Sequence, residues 1–409
     1  MSTANNVNHD AIRDVRQLGV PKMILLGCQH AFTMFGATVL VPLITGLNVS
    51  VTLLMAGIGT LLFHAVTKGK VPAFLGSSFA FIAPMLTVTE ITGDIAYAQG
   101  GIVVAGLIYL ILSALMYVFG AEKVVKFFPP VVTGPIIIVI GTKLAPVAIG
   151  SASENWLVAI IAFAIMAGVA IFAKGFLKVI PVVVALVSTY LICVVMGLVD
   201  FTPVKEAALI GLPHFTIAKF DLSAVMMIGP IALATMVEHV GDVLAIGSTV
   251  EQDFMTEPGL HRTLLGDGLA TSISAMVGGP ANTTYSENIG VLALTRAWDP
   301  RIMRIAAVFA MILGFSPKLG ALIQTIPNPI IGGISIILFG SIASVGARTL
   351  VEHEVDFTAQ RNLIIAAVIL ILGLGGAELP VVLGPISFTL DGMALAALVG
   401  IVLNIVLPD

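Results

Sequence analysis

From Lys22 to its C-terminus the chain is a succession of apolar stretches, each roughly 17 to 25 residues long, the length a helix needs to cross a hydrocarbon core. That pattern leaves few folds open. A bilayer offers no water to backbone amides and carbonyls, so its spans are helices whose hydrogen bonds close internally. About fourteen stretches can be counted, centred near Met34, Ile58, Ala80, Ile108, Ile138, Phe163, Ala185, Pro230, Thr271, Gly290, Met311, Ile336, Val368 and Ala396. Of the 409 residues, 58% are hydrophobic and 10% charged, which excludes a soluble domain of this size. The net charge of −4 speaks against a nucleic-acid partner; with no Walker-type loop and no metal-ligand spacing, no cofactor or metal is expected. Cys28 and Cys193 lie in apolar stretches and read as packing residues. Residues 1–20 are polar and lack the apolar core of a secretory signal, so a retained cytoplasmic tail is expected.

Positive charge tests the count. With the N-terminus inside and fourteen crossings, every one of the 19 Lys and Arg residues except Lys143, Lys205, Lys219 and Lys318 falls on the cytoplasmic side. The expectation is a multi-pass protein of the cell inner (cytoplasmic) membrane with both termini cytoplasmic. A missed helix would have scrambled the later loops.

The two halves resemble each other weakly. Gln29-His30 matches Glu238-His239, and Gly76-Ser77-Ser78-Phe79 matches Tyr285-Ser286-Glu287-Asn288, both 209 residues on; Val131 to Ala145 matches Ile330 to Ser344 at 199. Seven crossings per half is an odd number, so the halves have opposite orientation. The expected fold class is therefore an all-α polytopic membrane protein, a 7+7 inverted repeat with the loop from about Asp200 to Asp221 joining the halves. In the third and tenth segments, Pro72, Gly76-Ser77-Ser78 and Pro84, and then Gly278-Gly279-Pro280 and Asn282-Thr283-Thr284, break the helical pattern. Short extended pieces followed by half-helices are expected there, meeting near the midplane.

Carboxylates in such surroundings carry the chemistry. Glu238 follows the uncharged run Leu222 to Val237, and Glu287 lies between two uncharged runs. An ionisable group at that depth costs at least ~2.5 kcal/mol and faces an interior cavity where it handles an ion, a proton or a polar substrate. Glu287 opens a half-helix whose free backbone N–H groups offer donors while its carboxylate accepts, a combination suited to a small planar heterocycle bearing C=O and N–H on one edge. Glu238 and Asp242 share a helix face, and two close carboxylates resist joint ionisation, which marks them for proton exchange. Asp267, between Gly266 and Gly268, reads equally as a helix-terminal residue. His30 and His239 each adjoin a candidate, and His239 points away from Glu238 as a packing histidine would. His64 reads as interfacial. Phe79 has the shape to stack on a planar ligand or to pack.

Glu287-Asn288-Ile289-Gly290 with Thr295-Arg296, Gln29-His30 and Glu238-His239-Val240-Gly241 resemble the signatures of the nucleobase/ascorbate transporter family. QHAFTMFGATVLVP, GSSFAFIAP and NTTYSENIGVLALTR are similar to its uracil-permease branch. The resemblance implies a core domain (21–120 and 222–318), a gate domain (121–221 and 319–409), an elevator-type motion, and a homodimer through the gates. It also implies proton-coupled uracil import rather than catalysis. Glu238 and Glu287 would bind the base through their carboxylates and Phe79 and Ser286 around the broken helices, with Ala37 and Tyr285 lining the pocket. Glu238 and Asp242 would couple protons, and His30, Asp267, Ser78 and Asn288 would support. Aspartates at 242 and 267, where the uracil branch carries His and Asn, are more like purine carriers, so xanthine or uric acid is the alternative substrate. Glu287 favours uracil, because a carboxylate accepts from two ring N–H donors. An anion transporter or channel on a similar fold is the reading from another class, and two glutamates argue against it.

Overall fold

The computed structural model describes residues 11–383 and 386–408. Helices α1 (Val20–Thr45) and α2 (Val49–Val66) lead to strand β1 (Leu75–Ser77), helix α3 (Ile82–Thr92) and helix α4 (Ile95–Phe119). Next come α5 (Pro130–Lys143), α6 (Ala145–Ser153), α7 (Trp156–Phe172) and α8 (Pro181–Val195). The later part opens with α9 (Leu222–Ile228) and α10 (Ile231–Val250), followed by α11 (Leu260–Met276), β2 (Asn282–Thr284) and α12 (Glu287–Thr295). It continues through α13 (Arg301–Gly314), α14 (Pro317–Gln324), α15 (Asn328–Glu352) and α16 (Gln360–Leu374) to strands β3 (Glu378–Leu383) and β4 (Ile386–Asp391) and helix α17 (Gly392–Val406).

Local chemistry sets the boundaries. Asn48 caps α2 by accepting from Val51 N at 3.1 Å, and Asp94 caps α4 through Ala96 N at 2.9 Å. Gly46 ends α1 in the left-handed conformation that glycine adopts without strain. Among the described residues six spans are long and apolar enough to cross a membrane: α1, α2, α4, the α5–α6 pair, the α9–α10 pair and α15. The α13–α14 pair, bent by 82°, makes a seventh, and five shorter apolar helices accompany them. The fourteen expected centres each fall within a helix, in the turn Phe79–Phe81, or, at Pro230, between α9 and α10. Fewer helices than that reach full length alone, because strands and breaks interrupt the apolar stretches.

Helices from the early and late parts of the chain interleave. Helix α11 packs on α4 and α2, and α13 on α2 and α1; α15 packs on α5, α6 and α7, and α16 on α5 and α17. Small residues permit the approach: a Cβ on Gly106 of α4 would lie 2.2 Å from Ser272 Oγ and 2.7 Å from the Gly268 carbonyl. The segment joining the halves is held by backbone bonds, Ala218 N to Met276 O at 3.2 Å and Lys219 N to Ala96 O at 2.9 Å among them.

Strands β1 and β2 pair antiparallel, with Leu75 opposite Thr284, Gly76 opposite Thr283 and Ser77 opposite Asn282. Ser78 N to Ala281 O and Tyr285 N to Phe74 O, both 2.9 Å, extend the ladder symmetrically.

Three expectations change. A second antiparallel sheet, β3 with β4, is absent from an all-α reading with extended pieces only in the third and tenth segments. Asp267 sits inside α11, fully buried, and is not helix-terminal. His64 is buried, its Nε2 2.9 Å from Ala73 O, and is not interfacial. Part of the N-terminal segment is docked on the chain that follows α12. Ile12 N donates to Arg296 O at 2.8 Å, Trp298 N donates to Ile12 O at 2.9 Å, and Val15 N donates to the Asp299 carboxylate at 3.0 Å.

Candidate functional site

The crossing of β1 and β2 gathers the sequence's candidates. Helix α12 starts directly after β2 with Glu287 as its first residue, and no side chain caps its N-terminus; the turn Phe79–Phe81 after β1 is likewise uncapped. Backbone N–H groups at both starts remain open to an acceptor, and the partial positive charge of α12's N-terminus favours one. Helix α10, which carries Glu238 and Asp242, packs against α12 and β2.

Glu238, Asp242 and Glu287 are half-buried, and Ser286 is exposed. None of the three carboxylates takes part in an ion pair among the described residues. Glu238 lies within electrostatic reach of Glu287 and Asp267, and Asp242 within reach of all three. Three acidic groups held together without a cation are poor structural glue, since an unpaired charge shielded from water destabilises the fold. They are free to accept from a ligand or to exchange protons.

Around them the polar groups divide into engaged and open. Tyr285 is buried, its hydroxyl donating to Ser77 O at 3.0 Å and accepting from Thr38 Oγ1 at 3.4 Å. Its ring lies over Gly76, where a Cβ would be 2.4 Å from the ring carbons. His239 Nδ1 stands 2.8 Å from Asp267 Oδ2, and its Nε2 is 2.9 Å from Thr263 Oγ1. Thr284 Oγ1 donates to Asp267 Oδ1 at 3.2 Å. This buried group ties α10, α11 and β2 together, so His239 and Asp267 position the carboxylates' scaffold rather than facing outward.

Asn288 Nδ2 donates to His30 Nδ1 at 3.0 Å, linking α12 to α1. With that assignment the His30 proton sits on Nε2. His30 Nε2, Asn288 Oδ1, Gln29 Oε1 and Ser78 Oγ are all buried without a hydrogen-bond partner among the described residues. Orphaned donors and acceptors cost ~1 to 3 kcal/mol each and mark places where a polar guest is accommodated. Ala37 is buried on α1, and Phe79 is half-buried with its ring edge-on to Phe339, centroids 6.1 Å apart.

Every sequence candidate therefore lies on α1, α10, α11 or α12, just after β1, or in the link between β2 and α12. Thr263, Thr284, Thr38 and Phe339 were not anticipated. The polar run Asn282-Thr283-Thr284 carried a signal for Thr284; nothing in the sequence singles out Phe339. Among the described residues no group of three or more His, Cys, Asp and Glu side chains is arranged to hold a metal ion. Two cavities of about 430 and about 740 Å³ lie elsewhere and include none of these residues. The carboxylates, not enclosed volume, distinguish this site.

The family model described as "Permease family" matches residues 21–382. A "Probable uracil permease" of Pasteurella multocida (strain Pm70) is 47% identical over 396 residues, covering 95% of this chain and 94% of that protein. A "Uracil permease" of Bacillus caldolyticus is 45% identical over 404 residues, covering 95% of this chain and 93% of that one. Among solved structures, the transmembrane domain of the cyanobacterium bicarbonate transporter BicA is similar with a TM-score of 0.63 at 14% identity, covering 97% of this chain and 99% of that one. At that identity the likeness is of fold alone.

Proposed function

The chain belongs to the permease family, a family of multi-pass membrane transporters, and from that membership we propose that it carries uracil inward across the cytoplasmic membrane together with protons. The observation that carries this reading is a pair of carboxylates, Glu238 and Glu287, without a cationic partner among the described residues, beside the paired strands of a chain 47% identical to a protein named a probable uracil permease. Glu287 accepts from the base's ring N–H groups while the open N–H groups of α12 and of the turn after β1 donate to its carbonyls. Phe79 stacks on the ring, Ser286 and Ser78 add polar contacts, and Ala37 and Tyr285 bound the pocket. Glu238 binds the base and exchanges the proton with Asp242; His30, Asn288 and Asp267 hold the surrounding elements.

The same proposal includes fourteen crossings as an inverted 7+7 repeat, both termini cytoplasmic, and a core (21–120, 222–318) that slides against a gate (121–221, 319–409) in an elevator motion. Two chains join through their gates. Support for the division comes from the interleaved packing of early and late helices, and from the close but uncharged contact of α1 with α8. Asp242 and Asp267 favour the second reading, a xanthine or uric acid carrier. An anion substrate is disfavoured by carboxylates at the site.

Uptake of labelled uracil into proteoliposomes decides the coupling. An inward proton gradient is expected to raise it and a protonophore to abolish the rise; uptake indifferent to the gradient removes the symport claim.

A further inference from the structure

The larger cavity, about 740 Å³, is a cleft walled by Leu112, Leu115 and Phe119 of α4, by Leu233 of α10, and by Leu398 and Val402 of α17. Its volume falls in the ~300–1,000 Å³ range of sites that take a sizeable ligand. Phe127 and Phe128 also line it, and so do Lys123 and Lys126, both of them exposed to the outside at its rim. Neither lysine's ammonium takes part in a hydrogen bond or ion pair among the described residues. Glu122, on the same turn, is exposed and forms no part of the lining. Walls of leucine and phenylalanine do not hold water, and in a multi-pass protein such a cleft opens onto lipid. Two unpaired cations at its mouth select the charge of the headgroup, as basic pockets between spanning helices do.

We propose that this cleft binds an anionic phospholipid, its acyl chain in the groove and its phosphate between Lys123 and Lys126. The two walls, α4 and α10 on one side and the Lys123–Phe128 segment with α17 on the other, come from the parts assigned above to core and gate. That consequence rests on the proposed division; the lipid site itself rests on neither that division nor uracil. A bound lipid straddles the seam along which core and gate slide.

The test places a tryptophan in the groove, Leu115→Trp and separately Val402→Trp, both at partly exposed positions that accept a larger ring. Full-length protein is reconstituted in phosphatidylcholine vesicles, and brominated phosphatidylglycerol or brominated phosphatidylcholine is titrated as quencher against the native tryptophan background. Brominated phosphatidylglycerol is expected to reach half-quenching at about a thirtyfold lower mole fraction, given the attraction of two lysines for an anionic lipid. The Lys123→Gln/Lys126→Gln variant is expected to quench equally with both lipids, and inorganic phosphate to leave the preference intact. Equal quenching with the lysines present overturns the proposal, as does a preference that survives their removal. Relief of quenching by phosphate assigns the lysines to a free anion and also overturns it. Uracil transport enters none of these readouts, so their failure leaves the proposed function untouched.

Discussion

Replacing Gly76 with alanine puts the crossing strands under a defined stress. The new Cβ would lie 2.4 Å from Tyr285 Cε2 and Cζ and 2.8 Å from its hydroxyl oxygen, far inside contact distance. The strand has no room to yield, because Leu75 and Ser77 on either side are locked in the β2 register. The ring has little more, because its hydroxyl is held by Ser77 O at 3.0 Å. Overpacking of this kind costs about 1–3 kcal/mol, and loss of the Tyr285 hydrogen bond adds about 0.5–1.5 kcal/mol, so about 1.5–4.5 kcal/mol is expected. Reversible unfolding in mixed micelles measures it. Glu287 begins α12 only two residues after Tyr285, so uracil affinity is expected to fall in the same variant. Adding Tyr285→Leu removes the obstructing ring carbons, and the double variant is expected to be more stable than the sum of its singles by at least about 1 kcal/mol. Unchanged stability and affinity in Gly76→Ala, or strict additivity in the double variant, would refute the packing of Tyr285 over the strand.

Other perturbations follow from the same geometry. Glu287→Gln is expected to raise the Kd for uracil by about 10- to 150-fold, the equivalent of about 1.5–3 kcal/mol for a hydrogen bond to a charged group, while xanthine competes better; calorimetry that finds no change removes Glu287 from base recognition. Lys143→Met strips the partner from Asp391, which it meets at 2.6 and 2.9 Å with both side chains largely buried, and is expected to destabilise the fold by about 3–5 kcal/mol in the same unfolding assay; a neutral result makes the pair incidental. Asp14 is held at a pKa of about 2 by hydrogen bonds from Arg16, below its ordinary 3.8. Its contribution to the docked N-terminal segment is therefore complete above the ordinary value and lost only as pH falls through about 2. Trp298, with the Arg13 guanidinium 5.0 Å from its ring, reports that contact; its fluorescence in a Trp156→Phe variant is expected to stay constant from about pH 8 to 5, and a transition there contradicts the assignment.

What the sequence disclosed follows from how strongly each feature is penalised in lipid. Apolar length is dictated by the bilayer, so helix centres could be read directly, and Gly-Ser and Asn-Thr runs inside apolar stretches pointed to the paired strands. Misplaced charge is equally visible, which is why Glu238, Asp242 and Glu287 stood out. The signature from Glu287 to Arg296 gave the family, and its end has a structural cause: Arg296 closes α12 in the left-handed conformation. Interactions between distant segments left little trace. Asp267 was ambiguous because its partners, His239 and Thr284, come from two other elements. Strands β3 and β4 lie among residues apolar enough to pass for a helix approach, and their pairing is a contact between segments that the sequence pattern does not carry.

The central claim is that unpaired carboxylates beside a strand crossing read a pyrimidine. Competition against labelled uracil in purified, reconstituted protein tests it most directly. Unlabelled uracil is expected to displace the label, with xanthine and uric acid far weaker. Displacement by xanthine or uric acid as effective as by uracil would contradict the account and assign the site, through Asp242 and Asp267, to purines.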